Sequence, residues 1–259
     1  MRQGYATTNG IRIFFVEEGE GPLVLLLHGL PEQWYSWRHQ MQPIADAGFR
    51  CVAIDLPGFG RSDKPDVTYD MDFLTATVDG LITSLGHEEA IVAGHDWGGL
   101  ILWPFVRRYP HRVRGAIGLN TADVPRTPIR FTDFLREMSS GKHQYILDFQ
   151  ERYVIDEQVA ENPEAFVRSF LLGPATVQKQ VFTDDVVEVY VDAVRPRGAI
   201  TPMLEYYRNM DRNWELAEAY DHIKVEVPTL MIGADSDLFL PPALMDFMDD
   251  RVTDLTKVV

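Results

Sequence analysis

The stretch Ala90-Ile91-Val92-Ala93-Gly94-His95-Asp96-Trp97-Gly98-Gly99 carries the residue types and spacing best suited to chemistry. A short apolar run enters Gly-x-Asp-x-Gly, and a helical pattern over residues 99–108 leaves it. Glycines on both sides of Asp96 permit a tight strand-to-helix turn that pushes the central side chain into a pocket. The helix N-terminus behind it favours carboxylate over acid. A carboxylate presented in this way can attack an electrophilic carbon and form an ester. Asp96 serving only as a helix N-cap would need neither flanking glycine.

A second loop, His28-Gly29-Leu30-Pro31, follows the apolar run at residues 23–27. Backbone N–H groups from such a loop, with that of the residue after the nucleophile, can bind a developing oxyanion. Pro31 has no N–H, so the expected donors are Leu30 and Trp97. A cis bond at Leu30-Pro31 is one way to set this loop. Read alone, the loop fits a plain strand-to-helix turn with a helix-start proline equally well.

The elements that must position these loops alternate in type. Residues 11–16 read as a strand after the Asn9-Gly10 turn, and residues 23–27 as a strand buried on both faces. Trp34, Trp37, Met41 and Ile44 recur at helical spacing, and residues 51–54 form another short strand. Residues 73–85 predict a helix closed by Gly86, residues 90–93 a strand and residues 113–119 a strand. This rhythm implies a parallel sheet with helices on both faces. Between about residues 123 and 214 only helical patterns and loops are found; the strand signal resumes at 225–233, and 241–250 read as a helix. The expected organisation is an α/β core over 1–122, a helical cap over 123–216 that roofs the strand ends, and a resumed core over 217–259.

Composition narrows the function classes. The chain has 259 residues, of which 46% are hydrophobic, enough for a real core. Its 24 Lys+Arg against 39 Asp+Glu give a formal net charge of −15, which argues against nucleic acid or an anionic membrane surface as a partner. Cys51 is the single cysteine, so an internal disulfide is excluded and a small core residue is the simplest reading. Residues 1–8 lack the apolar region of a signal peptide, and residues 23–27 are too few to span a bilayer. A soluble, cytoplasmic protein is expected, with oligomeric state left open.

The stretch His28-Gly-Leu-Pro-Glu-Gln-Trp-Tyr-Ser-Trp-Arg38, the turn Gly94-His-Asp-Trp-Gly-Gly99 and Tyr207-Arg-Asn-Met210 resemble the soluble epoxide hydrolases of the α/β-hydrolase fold. The resemblance runs from about residue 12 to residue 259. It implies that Asp96 attacks an oxirane carbon, that two tyrosines hold and protonate the leaving oxygen, and that a His-activated water frees a diol. Tyr207 matches the family motif in Glu205-Tyr-Tyr-Arg-Asn-Met210, and Tyr145 is the best match for its companion. Tyr206 should face elsewhere, since adjacent helix positions diverge. Asp237 stands at the family position of the acid that orients the histidine; Asp123 and Asp235 are alternatives. His28, Pro31, Trp34 and His95 are expected around the substrate pocket, His95 as a lining residue and not as the base. The implied reactants are a small apolar epoxide and water, with no cofactor and no metal.

One part of the pattern is missing. The fold orders its triad as nucleophile, acid, histidine, yet none of the seven histidines (28, 39, 87, 95, 111, 143 and 222) follows Asp237. Element lengths put the expected histidine near position ~264, and residues 256–259 look like the first half of the strand leading to it. The expectation is a chain that stops short, opens epoxides, hydrolyses the ester slowly and leaves the strand at residues 230–233 as an exposed sheet edge. His222 is the only substitute base that this reading offers, and a poor one.

Haloalkane dehalogenase is the nearest alternative, although tyrosine donors suit an alkoxide better than a halide, and Leu30 replaces a side-chain N–H donor. Fluoroacetate dehalogenases place Arg where Trp97 stands. A non-catalytic binding protein of the same fold is the other alternative.

Overall fold

The computed structural model describes residues 1–138 and 141–259; Ser139 and Ser140, inside the expected helical insert, lie outside the described residues. The chain opens with strands β1 (Arg2–Thr8) and β2 (Ile11–Glu18), joined at Asn9-Gly10, where both residues take positive φ of 49° and 79°. Strand β3 (Leu23–Leu27), helix α1 (Arg38–Asp46) and strand β4 (Arg50–Ile54) come next. Helix α2 (Met71–Ser84), strand β5 (Ala90–His95), helix α3 (Trp97–Arg108) and strand β6 (Val113–Leu119) complete the alternating half.

Helices then run without a strand among the described residues: α4 (Phe131–Met138), α5 (Gln144–Asp148), α6 (Val154–Glu161), α7 (Pro163–Leu171), α8 (Asp184–Val194), α9 (Ile200–Arg208) and α10 (Met210–Ala217). Strands β7 (Thr229–Ile232) and β8 (Leu255–Val258) return to the sheet. The spatial order is β1-β2-β4-β3-β5-β6-β7-β8, antiparallel in the first two pairings and parallel thereafter. This is the mostly parallel sheet of an α/β-hydrolase fold. Among the described residues no helix is long and apolar enough to cross a membrane.

Alternation along the strands sorts the core into two clusters. Leu23, Leu25 and Leu27 face one, with Ile13, Val52 and Trp97; Val24 and Leu26 face the other, with Phe14, Cys51 and Trp37. The helical segment adds its apolar faces to the first cluster through Val187, Val191, Leu204, Tyr206 and Tyr207.

Three sequence expectations shift. The strand over 225–233 contracts to Thr229–Ile232, because Pro228 has no N–H and Val225 makes only an isolated bridge to Val252. Residues 241–250 form 3-10 turns over Pro242–Met248 in place of an α-helix. The exposed sheet edge is β8 and not residues 230–233, since β8 pairs with β7 from Leu255 opposite Thr229 to Val258 opposite Ile232.

Asp123, the alternative acid, is occupied elsewhere. Arg107 of α3 grips both its oxygens, at 3.0 and 2.5 Å, with the two side chains 2% and 3% exposed. Arg251 adds bonds of 3.1 and 3.3 Å and reaches Asp221 at 2.6 Å. Arg107 also donates to the Ile223 carbonyl at 2.7 Å. The carboxylate is thus consumed in joining α3 to the segments that leave β6 and enter β7. Replacing it strands two guanidinium groups in the interior. Asp123→Ala is expected to cost about 3–5 kcal/mol of stability, read as a fall in the denaturant midpoint. Arg251→Met, which leaves the Arg107 pair intact, should cost less. A loss below about 1 kcal/mol for Asp123→Ala, the size of an exposed pair, would show that the cluster carries little load.

Candidate active site

The sharp turn between β5 and α3 is built around Asp96, whose φ of 52° and ψ of −120° lie where non-glycine residues rarely go. Such a backbone costs on the order of 1–3 kcal/mol and persists only if its surroundings impose it. Close approach supplies the imposition. A Cβ at Gly98 would lie 2.1 Å from the Leu27 carbonyl oxygen, and one at Gly29 would lie 2.1 Å from Asp96 Oδ1. Neither position tolerates a side chain while the two loops touch. Gly98 N–H donates to the His28 carbonyl at 2.9 Å and fixes that contact.

The carboxylate meets the expected donors. Leu30 N–H donates to Asp96 Oδ1 at 2.8 Å, and the Trp97 N–H also stabilises the anion. Burial raises the Asp96 pKa above the ordinary carboxylate value, while His95 and these two N–H groups pull it back part of the way. The Leu30-Pro31 bond is cis, and Pro31 is buried in the loop.

Two tyrosines converge on the same place from the helical segment. Tyr145 of α5 and Tyr207 of α9 have ring centroids 6.0 Å apart, and their hydroxyls are hydrogen bonded to each other. The Trp97 ring stands edge-on to Tyr207 at 4.9 Å. Burial, and then the negative charge of Asp96, hold both phenols protonated far above the ordinary tyrosine range. Tyr206 points away, its hydroxyl donating to the Pro57 carbonyl at 2.7 Å, as adjacent helical positions require.

Asp237 lies on the loop after β7. Its Oδ1 accepts the Phe239 and Leu240 N–H groups, each at 2.8 Å, and its Oδ2 accepts from the Asn120 amide. Its charge acts on Tyr145 and His95, so it faces the same recess. Asp235 is exposed.

His28 and Trp34 do not line this recess. The His28 side chain is completely enclosed: Nε2 accepts the Leu56 N–H at 2.9 Å and Nδ1 pairs with the Gly29 carbonyl at 2.8 Å. It braces the loop behind the donors and offers no surface to a substrate. Trp34 packs on the second core cluster, with Trp37 and Met41, and not on the cluster of Trp97 and Tyr207.

Glu32 belongs to the site although no motif singles it out. Its Oε2 takes the His95 Nδ1–H at 3.1 Å and the Gly29 N–H at 3.2 Å. Burial opposes charge on both partners, yet the pairing wins: His95 is raised to about 9 and Glu32 lowered to about 2. Position 95 is therefore cationic at neutral pH. The only sequence signal was a carboxylate three residues after Gly29, which also reads as a surface residue at a turn. A separate cleft of about 590 Å³, between residues 64–69 and α9, is lined by neither Asp96 nor the two tyrosines.

The α/β hydrolase fold family matches residues 22–259. The chain is 32% identical to bifunctional epoxide hydrolase 2 of Sus scrofa over 99% of this chain and 50% of that protein. It thus spans about half the length of the first curated relatives it matches, 50–51%. It is 31% identical to epoxide hydrolase A of Mycobacterium tuberculosis, covering 96% of this chain and 85% of that protein. An epoxide hydrolase crystal structure from Vigna radiata superposes with a TM-score of 0.89 at 32% identity, over 100% of this chain and 89% of that one. For epoxide hydrolase A of Mycobacterium thermoresistibile the TM-score is 0.87 at 32% identity, over 100% and 91%. With its sheet order, its strained aspartate turn and these matches, the chain belongs to the α/β-hydrolase fold family and, within it, to the epoxide hydrolases.

Proposed function

We propose that this chain opens small apolar epoxides by attack of the Asp96 carboxylate on an oxirane carbon, forming an alkyl-enzyme ester on the way to a vicinal diol. The observation that carries the reading is the pair of protonated phenols, Tyr145 and Tyr207, facing a buried carboxylate whose Oδ1 is already held by Leu30 N–H at 2.8 Å. Ring opening breaks a C–O bond and leaves an alkoxide, which needs a proton donor at that place. A halide would need none. The helical segment acts as a cap in this scheme, since it is α5 and α9 that deliver the donors. The apolar surroundings of Trp97, Phe149 and Tyr207 suit an uncharged substrate.

Oδ2 of Asp96 is the attacking atom, because Oδ1 is tied to the backbone donors. The electron pair of the broken ring bond goes to the epoxide oxygen, which takes a proton from one tyrosine. Oδ1 then becomes the ester carbonyl oxygen, already seated on the Leu30 and Trp97 N–H groups. Those groups would bind the oxyanion formed when water attacks Cγ. Asp237, braced by three donors, is the acid of the hydrolytic half.

Incubation with excess styrene oxide should add one epoxide mass to the intact protein, and Asp96→Asn should add none. A folded wild-type chain that gains no mass would remove the support for this reading. Replacing Tyr207 and Tyr145 together with Phe should slow ester formation by about 10²–10⁴-fold, the usual worth of general acid catalysis. Each single replacement should cost less, because the other phenol still reaches the oxygen. Ester formation in the double variant at the wild-type rate, followed by mass spectrometry over time, would assign the proton to another donor.

A further inference from the structure

We propose that Arg208 and Gln150 are positioning residues for ring opening: they clasp α5 to α9 and hold the Tyr145 and Tyr207 phenols at the spacing that one epoxide oxygen requires. The inference rests on the reading above, in which Asp96 is the nucleophile and the two tyrosines are the proton donors. Tyr145 sits on α5, a helix of only 5 residues. Isolated helices shorter than about 12–15 residues are marginal in water, so what fixes this phenol lies outside its own helix.

Two side chains cross between the helices in opposite directions. Arg208 follows Tyr207 at the last position of α9, and its Nε donates to the Phe149 carbonyl, just beyond α5, at 2.9 Å. In return, Gln150 Nε2 donates to the Tyr207 carbonyl at 3.0 Å and to the Ile146 carbonyl of α5 at 2.9 Å. Carbonyls at helix C-termini lack partners in a next turn, so each side chain satisfies a group that the other helix leaves open. Phe149 fills the space between, edge-on to Tyr207 at 5.0 Å and to Tyr145 at 5.5 Å.

The guanidinium is itself held in place. The Arg208 side chain is 4% exposed, with Nη2 on Asp156 Oδ2 at 2.5 Å and Nη1 on Glu205 Oε1 at 3.2 Å. Asp156 belongs to α6 and also accepts the Thr201 hydroxyl of α9 at 2.6 Å. Arg208 is adjacent to Tyr207 on the helix and so faces another way; it acts on the reaction through the backbone that carries the phenols. Both phenols must address one oxygen, and a displacement of about 1 Å can cost about 10²-fold in rate.

The test follows ester formation from styrene oxide by intact mass over time, with each clasp variant made in wild type and in Tyr145→Phe/Tyr207→Phe. Arg208→Met should slow ester formation by about tenfold or more when both phenols are present. Once both are absent, the same change should cost less than about threefold, because nothing remains for the clasp to position. Arg208→Lys should recover part of the rate. Gln150→Met, which removes the opposite half of the clasp and leaves the Arg208 ion pairs intact, should show the same dependence on the phenols, and it decides the matter alone if Arg208→Met fails to melt cooperatively. Wild-type rates in both Arg208→Met and Gln150→Met overturn the proposal, as do losses of equal size with and without the phenols, which a merely structural role would give. Either result leaves Asp96 and the tyrosines in their roles. No ester in wild type, or undiminished ester formation in Tyr145→Phe/Tyr207→Phe, overturns the underlying reading, and the clasp's part in the reaction falls with it.

Discussion

Leu27 and Gly94 stand opposite each other in the parallel pairing of β3 and β5, so the loops leaving both strands must share one small volume. The site depends on that register. It brings the Leu30 N–H to the Asp96 carboxylate, allows the Gly98 N–H to reach the His28 carbonyl and leaves no room for a Cβ at Gly29 or Gly98. The positive φ at Asp96 is held by these contacts on both sides. A slip of one residue would turn the apolar set of β3 from one core cluster to the other. It would also separate the donors from the carboxylate.

Helix α3 links this turn to the rest of the molecule. Its N-terminus begins at Trp97, directly after the carboxylate, and Arg107 near its C-terminal end grips Asp123. Asp123 also receives Arg251, and Arg251 reaches Asp221, so the segments entering and leaving the helical region are fastened at one buried point. The tyrosines sit on that region. Their distance from Asp96 is therefore set partly by an ion cluster at the opposite end of α3. A single salt bridge at the surface could not serve, because solvent would dilute it and let the segments part.

Much of this was legible in the sequence where local chemistry and pattern agreed. The continuous apolar runs at β3 and β5 sit in the middle of the sheet, and the glycines about Asp96 mark the turn. Tyr207 could be picked from a motif, and the opposite facing of Tyr206 followed from helical geometry. What escaped was whatever needed a partner far away in sequence. Asp123 looked like a loop carboxylate at the end of a core strand; only the fold reveals Arg107 and Arg251 around it. Trp34 and Trp37 share a helical spacing, which says that they are buried but not on which face of the sheet. His28 resembled a pocket residue because it precedes the donor loop, whereas the fold closes Leu56 over it.

Glu32 is the most instructive omission, because it changes the electrostatics of the site. Asp96, Glu32 and Asp237 place three carboxylates around one recess, and His95 is the cation facing them. Burial favours the acid form of Asp96, and the imidazolium opposes it. With it, Asp96 gains a neighbouring positive charge, but that charge is shared with Glu32, so the carboxylate keeps part of the raised pKa that burial gives it. The same pairing keeps His95 protonated at neutral pH, so its ring is not a base there. The buried pair thus sets the charge that the Asp96 carboxyl meets.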